Sequence, residues 1–161
     1  MVVIVMGVVG AGKTTVGTLL AKQLHFEFAD ADDFHPQANI EKISRGIALS
    51  DDDRKPWLER LRSRILAWEA DDTDAVLACS ALKRSYREEL NVGPDVHFVY
   101  LKGRPDLIAQ RLHARHGHFA GASILASQIS DLEEPDDAVT VDIDQTPSAI
   151  VAQIRQKLGL A

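Results

Sequence analysis

The residues best equipped for chemistry lie near the start of the chain. Gly7-Val8-Val9-Gly10-Ala11-Gly12-Lys13-Thr14 fits the spacing G-x-x-x-x-G-K-[ST]. Phosphate oxygens are held by converging backbone N–H groups, and Gly7, Gly10 and Gly12 let the chain turn tightly enough to converge them. Lys13 supplies a compact cation for the β- and γ-phosphates, and Thr14 a hydroxyl oxygen for Mg²⁺. An apolar run, Val2 to Met6, precedes the loop, and Val16, Leu19, Leu20 and Leu24 follow at helical spacing. The loop therefore joins a strand to a helix whose positive N-terminal end adds to the anion site. These features predict binding of a nucleoside triphosphate with Mg²⁺.

A second group of polar residues follows in Asp30-Ala31-Asp32-Asp33-Phe34-His35-Pro36. If the segment is extended, Asp30 and Asp32 point the same way, one supporting Mg²⁺ and the other taking a proton from an attacking hydroxyl. The competing reading is a solvated turn that caps a helix. Arg54 lies one turn before Trp57 and Leu58, on the inward face of a helix. It requires an anion there, either a substrate carboxylate or Asp51 to Asp53. Lys83 and Arg84 stand just past a strand end and read as substrate-binding cations or as a solvated helix start. Arg111 and Arg115, four residues apart, share a helix face that runs into His116-Gly117-His118-Phe119-Ala120-Gly121. That pattern suits a lid over the triphosphate, at about residues 115–122, with arginines that neutralise the moving phosphoryl group. His113, His116 and His118 lack carboxylate or thiolate partners at metal-binding spacing, which disfavours a metal cluster. Cys79 reads as a small buried residue rather than a nucleophile, because phosphoryl transfer needs none.

Five strands are needed to carry these groups. Val2 to Met6, Ala75 to Cys79 and Phe98 to Leu101 are continuously apolar, as central parallel strands are. Phe26 to Phe28 and Val139 to Ile143 alternate, as exposed edges do. Helical segments separate every pair, giving an α/β, three-layer αβα fold around a five-stranded parallel sheet of order 2-3-1-4-5. Ligands then bind beyond the carboxyl ends of the strands. Ser50 with Asp53 resembles a capping box, and Pro56 is tolerable in a first helical turn. Trp57 and Trp68, with Leu58, Leu61 and Ile65, are expected in the core. The helix from Ala122 to Leu132, the last strand and the final helix read as structural, while Asp144 to Pro147 would meet the nucleotide base through its backbone.

The 161 residues suit a single domain, with 45% apolar and 26% charged residues. A net charge of −6 disfavours nucleic acid as a partner. One cysteine suits a reducing cytoplasm, and no run is long enough to span a membrane. No N-K-x-D base-reading motif is present, which disfavours a nucleotide-switched regulator. Kinases of other small acceptors, such as shikimate or a nucleoside monophosphate, need the same machinery.

Taken together, Gly7 to Thr15, Asp30 to Asn39, Ser50 to Leu58, Ala78 to Arg87 and Arg115 to Gln128 resemble the gluconokinases. These are ATP-dependent kinases of D-gluconate in the shikimate-kinase-like branch of phosphate-loop enzymes. Val9, Ala11, Ala48 and Ala120 depart from the usual serine, serine, proline and methionine. The resemblance implies a P-loop NTPase fold over residues 1–161 and a cytoplasmic homodimer that moves the γ-phosphoryl group to the 6-hydroxyl of gluconate. It implies a nucleotide site formed by Gly7, Gly10, Ala11, Gly12, Lys13, Thr14 and Thr15 with Arg111 and Arg115. Catalysis would rest on Lys13, Asp32 and Arg115, and metal binding on Thr14 and Asp30. Gluconate would meet Asp32, His35, Arg54, Lys83 and Arg84.

Overall fold

The computed structural model describes residues 1–116 and 122–160. Five parallel strands, β1 (Val2–Met6), β2 (Glu27–Asp30), β3 (Ala75–Ala78), β4 (Val96–Lys102) and β5 (Val139–Asp142), lie in the order β2-β3-β1-β4-β5. That is the expected order, and its cause is visible in the burial pattern. Every residue of β1 and β3 is buried, whereas the edge strands β2 and β5 are only partly so. β4 extends beyond the expected Phe98 to Leu101, because Val96 pairs with Val2 at the start of β1 and Lys102 with Asp142 of β5.

Alternation along β1 feeds two cores. Val3 and Val5 pack beneath α1 (Lys13–Leu24), α5 (Pro105–His116) and α7 (Pro147–Lys157), through Val16, Leu20, Ile108, Leu112, Ile150 and Ile154. Val2, Ile4 and Met6 face α3 (Asp51–Ala70) and α4 (Arg84–Leu90), through Trp57, Leu61, Ile65, Trp68 and Leu90. The two tryptophans are core residues, as their helical spacing predicts. Two further helices are α2 (Gln37–Ser44) and α6 (Ala122–Asp131).

The helix starts carry the expected chemistry with one adjustment. Ser50 and Asp53 form a reciprocal capping box, which starts α3 at Asp51. Pro56 therefore falls in the second turn rather than the first, where its missing N–H costs one intrahelical bond. Gly10 adopts φ +82, and a Cβ there would lie 2.7 Å from Leu112 Cγ, so the phosphate loop rests directly on α5.

Candidate functional site

The site is built at the carboxyl ends of β1, β2 and β3. After β1 the chain turns through Gly10 and Gly12, both left-handed, and enters α1 at Lys13. Gly12 is the N-cap and contributes no side chain, which leaves the first turn of α1 open to an anion. Lys13 Nζ folds back to donate to the Val8 carbonyl at 3.0 Å. Burial pulls the Lys13 pKa down, and the Asp32 and Asp30 carboxylates oppose that pull.

β2 ends differently from the sequence expectation. Asp30 is the last strand residue, but Ala31–Phe34 form a 3-10 turn rather than an extended segment. The reason is local: Asp30 Oδ1 accepts from the Asp32 backbone N–H at 3.0 Å and caps the turn. Capping and function are therefore not alternatives at Asp30. Its other oxygen, Oδ2, accepts from Thr14 Oγ1 at 2.8 Å, so the two expected metal-supporting groups are neighbours. Two hard oxygen donors beside the phosphate loop fit a Mg²⁺ ion that also touches phosphate. For Asp32, desolvation in the cleft and the nearby Asp30 and Asp33 charges raise the carboxyl pKa above its ordinary value, against Lys13.

Lys13, Asp32, His35, Arg54 and Trp57 line one cleft with Val9, Ser80 and Gln128. One wall is apolar and comes from α2 and the loop after it, with Ile43, Ile47, Ala48 and Leu49. The opposite wall is α6. It carries Ile124, Ser127 and Gln128 in the cleft, and Asp131 one turn further on. Gln128 Oε1 accepts from the Val9 N–H of the phosphate loop at 2.6 Å. The expectation that α6 is merely structural is thus corrected: residues 124, 127, 128 and 131 share one helix face, and that face closes the site. The i, i+3, i+4, i+7 spacing was the available signal.

Arg54 is buried, 8% exposed, and its partners are neither Asp52 nor Asp53. NH1 donates to Tyr86 Oη at 3.0 Å and to Asp131 Oδ2 at 3.1 Å. Burial alone would lower its pKa, but Tyr86 and Asp131 more than offset that and leave it raised. Tyr86 in turn donates to Asp51. Lys83 Nζ also meets Asp51, at 2.8 Å, so this expected substrate cation is paired on the network behind Arg54 and does not line the cleft. Arg84 lines a separate depression with Arg87, Phe98 and Asp136. Cys79 is buried beneath the cleft, and burial pushes its thiol up to about 12, which suits an inert residue.

On the other side of the phosphate loop lies a second hollow, lined by Gly10, Ala11, Gly12, Thr15, Arg111, Gln145 and Pro147. Arg111 reaches it from α5 while donating to the Ile143 carbonyl at 2.7 Å. The expected lid at about 115–122, with the Arg115 side chain and His118, lies outside the described residues. Among the described residues, no helix is long and apolar enough to cross a membrane.

With this geometry in view, comparison with known proteins gives a consistent set of relatives. The family described as Shikimate kinase matches residues 9–158. The thermoresistant gluconokinase of Escherichia coli (strain K12) is 45% identical over 154 residues, covering 92% of this chain and 88% of that protein. The gluconokinase of Gluconobacter oxydans (strain 621H) is 44% identical over 160 residues, covering 94% and 87%. A crystal structure of a gluconokinase from Sinorhizobium meliloti 1021 superposes with a TM-score of 0.89 at 40% identity, covering 98% of this chain and 90% of that one.

Proposed function

The chain belongs to the shikimate kinase family, and from that premise we propose that it is a gluconokinase, moving the γ-phosphoryl group of ATP to the 6-hydroxyl of D-gluconate. The observation that carries this reading is the division of the site by the phosphate loop. One hollow, with Gly10, Thr15, Arg111 and Gln145, is shaped for the nucleotide. The other gathers Lys13, Asp32, His35 and Arg54, a cation, a carboxylate, an imidazole and a guanidinium suited to a polyhydroxy acid. Gluconokinase relatives at 44–45% identity support the choice of gluconate.

In this reading the phosphate loop and Lys13 hold the donor phosphates, with Arg111 beside them and Arg115 assigned to the lid by its spacing and the resemblance alone. Thr14 and Asp30 would hold Mg²⁺, which would supply charge neutralisation for the transferring phosphoryl group. Asp32 takes the proton of the 6-hydroxyl as that oxygen attacks. Desolvation and the neighbouring carboxylates raise its pKa, which strengthens it as a proton acceptor. Arg54, with NH1 engaged by Tyr86 and Asp131, turns its remaining donors to the gluconate carboxylate, and His35 meets a hydroxyl. Lys83 supports this end through Asp51. Resemblance to the gluconokinases supports a cytoplasmic homodimer.

ADP release measured with gluconate, shikimate and AMP as separate acceptors tests the proposal. Turnover with gluconate alone is expected, and ¹H–³¹P correlation should locate the phosphate on C6. Turnover with shikimate or AMP instead would overturn the substrate assignment, and phosphate on another carbon would overturn the regiochemistry.

A further inference from the structure

We propose that Asn39 is a positioning residue that fixes His35 as an Nε2–H donor to an oxygen of the bound sugar acid. The chain of constraint starts at a backbone carbonyl. Asn39 is 3% exposed, and its Nδ2 lies 2.8 Å from the main-chain oxygen of Asp53. A carbonyl only accepts, so the face of the Asn39 amide turned towards it must be NH₂, which removes the usual ambiguity of an amide flip. The same Nδ2 lies 3.2 Å from His35 Nδ1. Its second hydrogen is directed there, so Nδ1 offers a lone pair and the ring proton sits on Nε2.

The surroundings hold the ring in this state. Trp57 stacks on it with centroids 4.6 Å apart and planes 13° from parallel, and Trp57 is itself fixed by donation from Nε1 to the Ala31 carbonyl at 2.7 Å. Asp53, the anchor of the clamp, belongs to the capping box of α3 and accepts from Lys42 as well. Burial and the Arg54 cation push the His35 pKa down to about 4, so the ring is neutral at physiological pH. His35 lines the cleft with Lys13, Asp32 and Arg54, and among the described residues Nε2 meets no protein acceptor. The polar atom left for a ligand is therefore a donor of known sign.

Two chemical consequences follow. A protonated Nε2 cannot take the proton of the attacking hydroxyl, so His35 is not the base of the reaction and that role is left to a carboxylate, in the proposed reading Asp32. A substrate hydroxyl that accepts from Nε2 must also turn its own hydrogen elsewhere, which sets the direction of the hydrogen bonds across the sugar. A site of this kind rejects a ligand with no oxygen at that position more strongly than one with a merely displaced methylene.

The inference rests on the gluconate reading for its ligand, but the tautomer can be read without any ligand. In ¹⁵N-histidine-labelled protein at pH 7, with the His35 signals assigned from their loss in His35→Gln, Nδ1 should appear unprotonated and Nε2 protonated. Gluconate should then shift the Nε2–H resonance. An Nδ1–H tautomer, an imidazolium, or an Nε2–H that is indifferent to gluconate in an enzyme that phosphorylates it would each overturn the proposal. Kinetics supply a second reading. His35→Gln places an amide N–H near the Nε2 position and should raise KM for gluconate by about tenfold, whereas His35→Asn, which does not reach, should raise it about a hundredfold with KM for ATP within about twofold. Asn39→Leu should populate both tautomers and raise KM for gluconate about tenfold. Equal losses in the glutamine and asparagine variants would reduce His35 to a packing residue and sink the proposal. If the wild type shows the Nε2–H tautomer but turns over no gluconate, the substrate assignment falls and the donor loses its assigned ligand.

Discussion

The two hollows beside the phosphate loop are built on different principles. The nucleotide side is one continuous stretch, Gly7 to Thr15, presenting backbone N–H groups and the open first turn of α1, with Arg111 and Gln145 added at the rim. The acceptor side is assembled from side chains on distant segments: the 3-10 turn after β2, α2, α3 and α6. A backbone cradle is insensitive to most side-chain changes and serves any nucleoside triphosphate. An assembled cleft is specific, and each of its members depends on a neighbour to hold it.

Substitutions can separate the two sides. The largest effect is expected at Asp32, where Asp32→Asn should lower kcat by about a thousandfold while leaving KM for ATP within about threefold. A turnover near wild type with saturating gluconate would show that the acceptor side carries no base. Next comes Arg54→Lys. An ammonium lacks the planar fork that lets NH1 meet Tyr86 and Asp131 while the other guanidinium donors face a carboxylate, so KM for gluconate should rise by about thirtyfold with KM for ATP unchanged. Steady-state kinetics in which both constants rose equally would erase the distinction between the two hollows. Gln128→Ala frees the Val9 N–H and should cost about tenfold in kcat/KM for both substrates, because this contact bridges the two sides.

The smallest expected effect is a pH dependence of stability. The His35 pKa is lowered from 6.5 to about 4, so between those values the unfolded chain binds a proton that the native ring does not. Its contribution is full above pH 6.5 and is lost as the pH falls towards about 4. Urea titrations should show the stability gap between the wild type and His35→Gln narrowing over that window. A constant gap would mean that the ring titrates normally in the folded state.

The same contrast explains what the sequence made legible. The phosphate loop is local: residue types, spacing and flanking elements are all adjacent in the chain, and the strand order follows from which runs are continuously apolar. Asp32, His35 and Arg54 were legible because each stands at a strand end or on an inward helix face. Lys83 was legible as a cation, yet not as one already committed to Asp51, because that partner is remote in sequence. The helix that carries Gln128 and Asp131 reads as structural, because the spacing that groups them on one face does not say what that face meets. Nothing local distinguishes a face turned to solvent from one turned to a cleft. Asn39 was equally silent, since its importance lies in two acceptors that only the folded chain brings to one nitrogen.

One consequence of the α6 wall is a coupling between the two sides of the site. Gln128 and Asp131 stand one turn apart on a single rigid element, the first tied to Val9 beside the donor phosphates and the second to Arg54 at the far end of the acceptor. A ligand group that takes over either tie loosens one end of the helix face, while Leu125 keeps the helix on the core. The two halves of the reaction thus share a crossbar, and by linkage whatever the donor does to the acceptor's hold on it, the acceptor does in equal measure to the donor's.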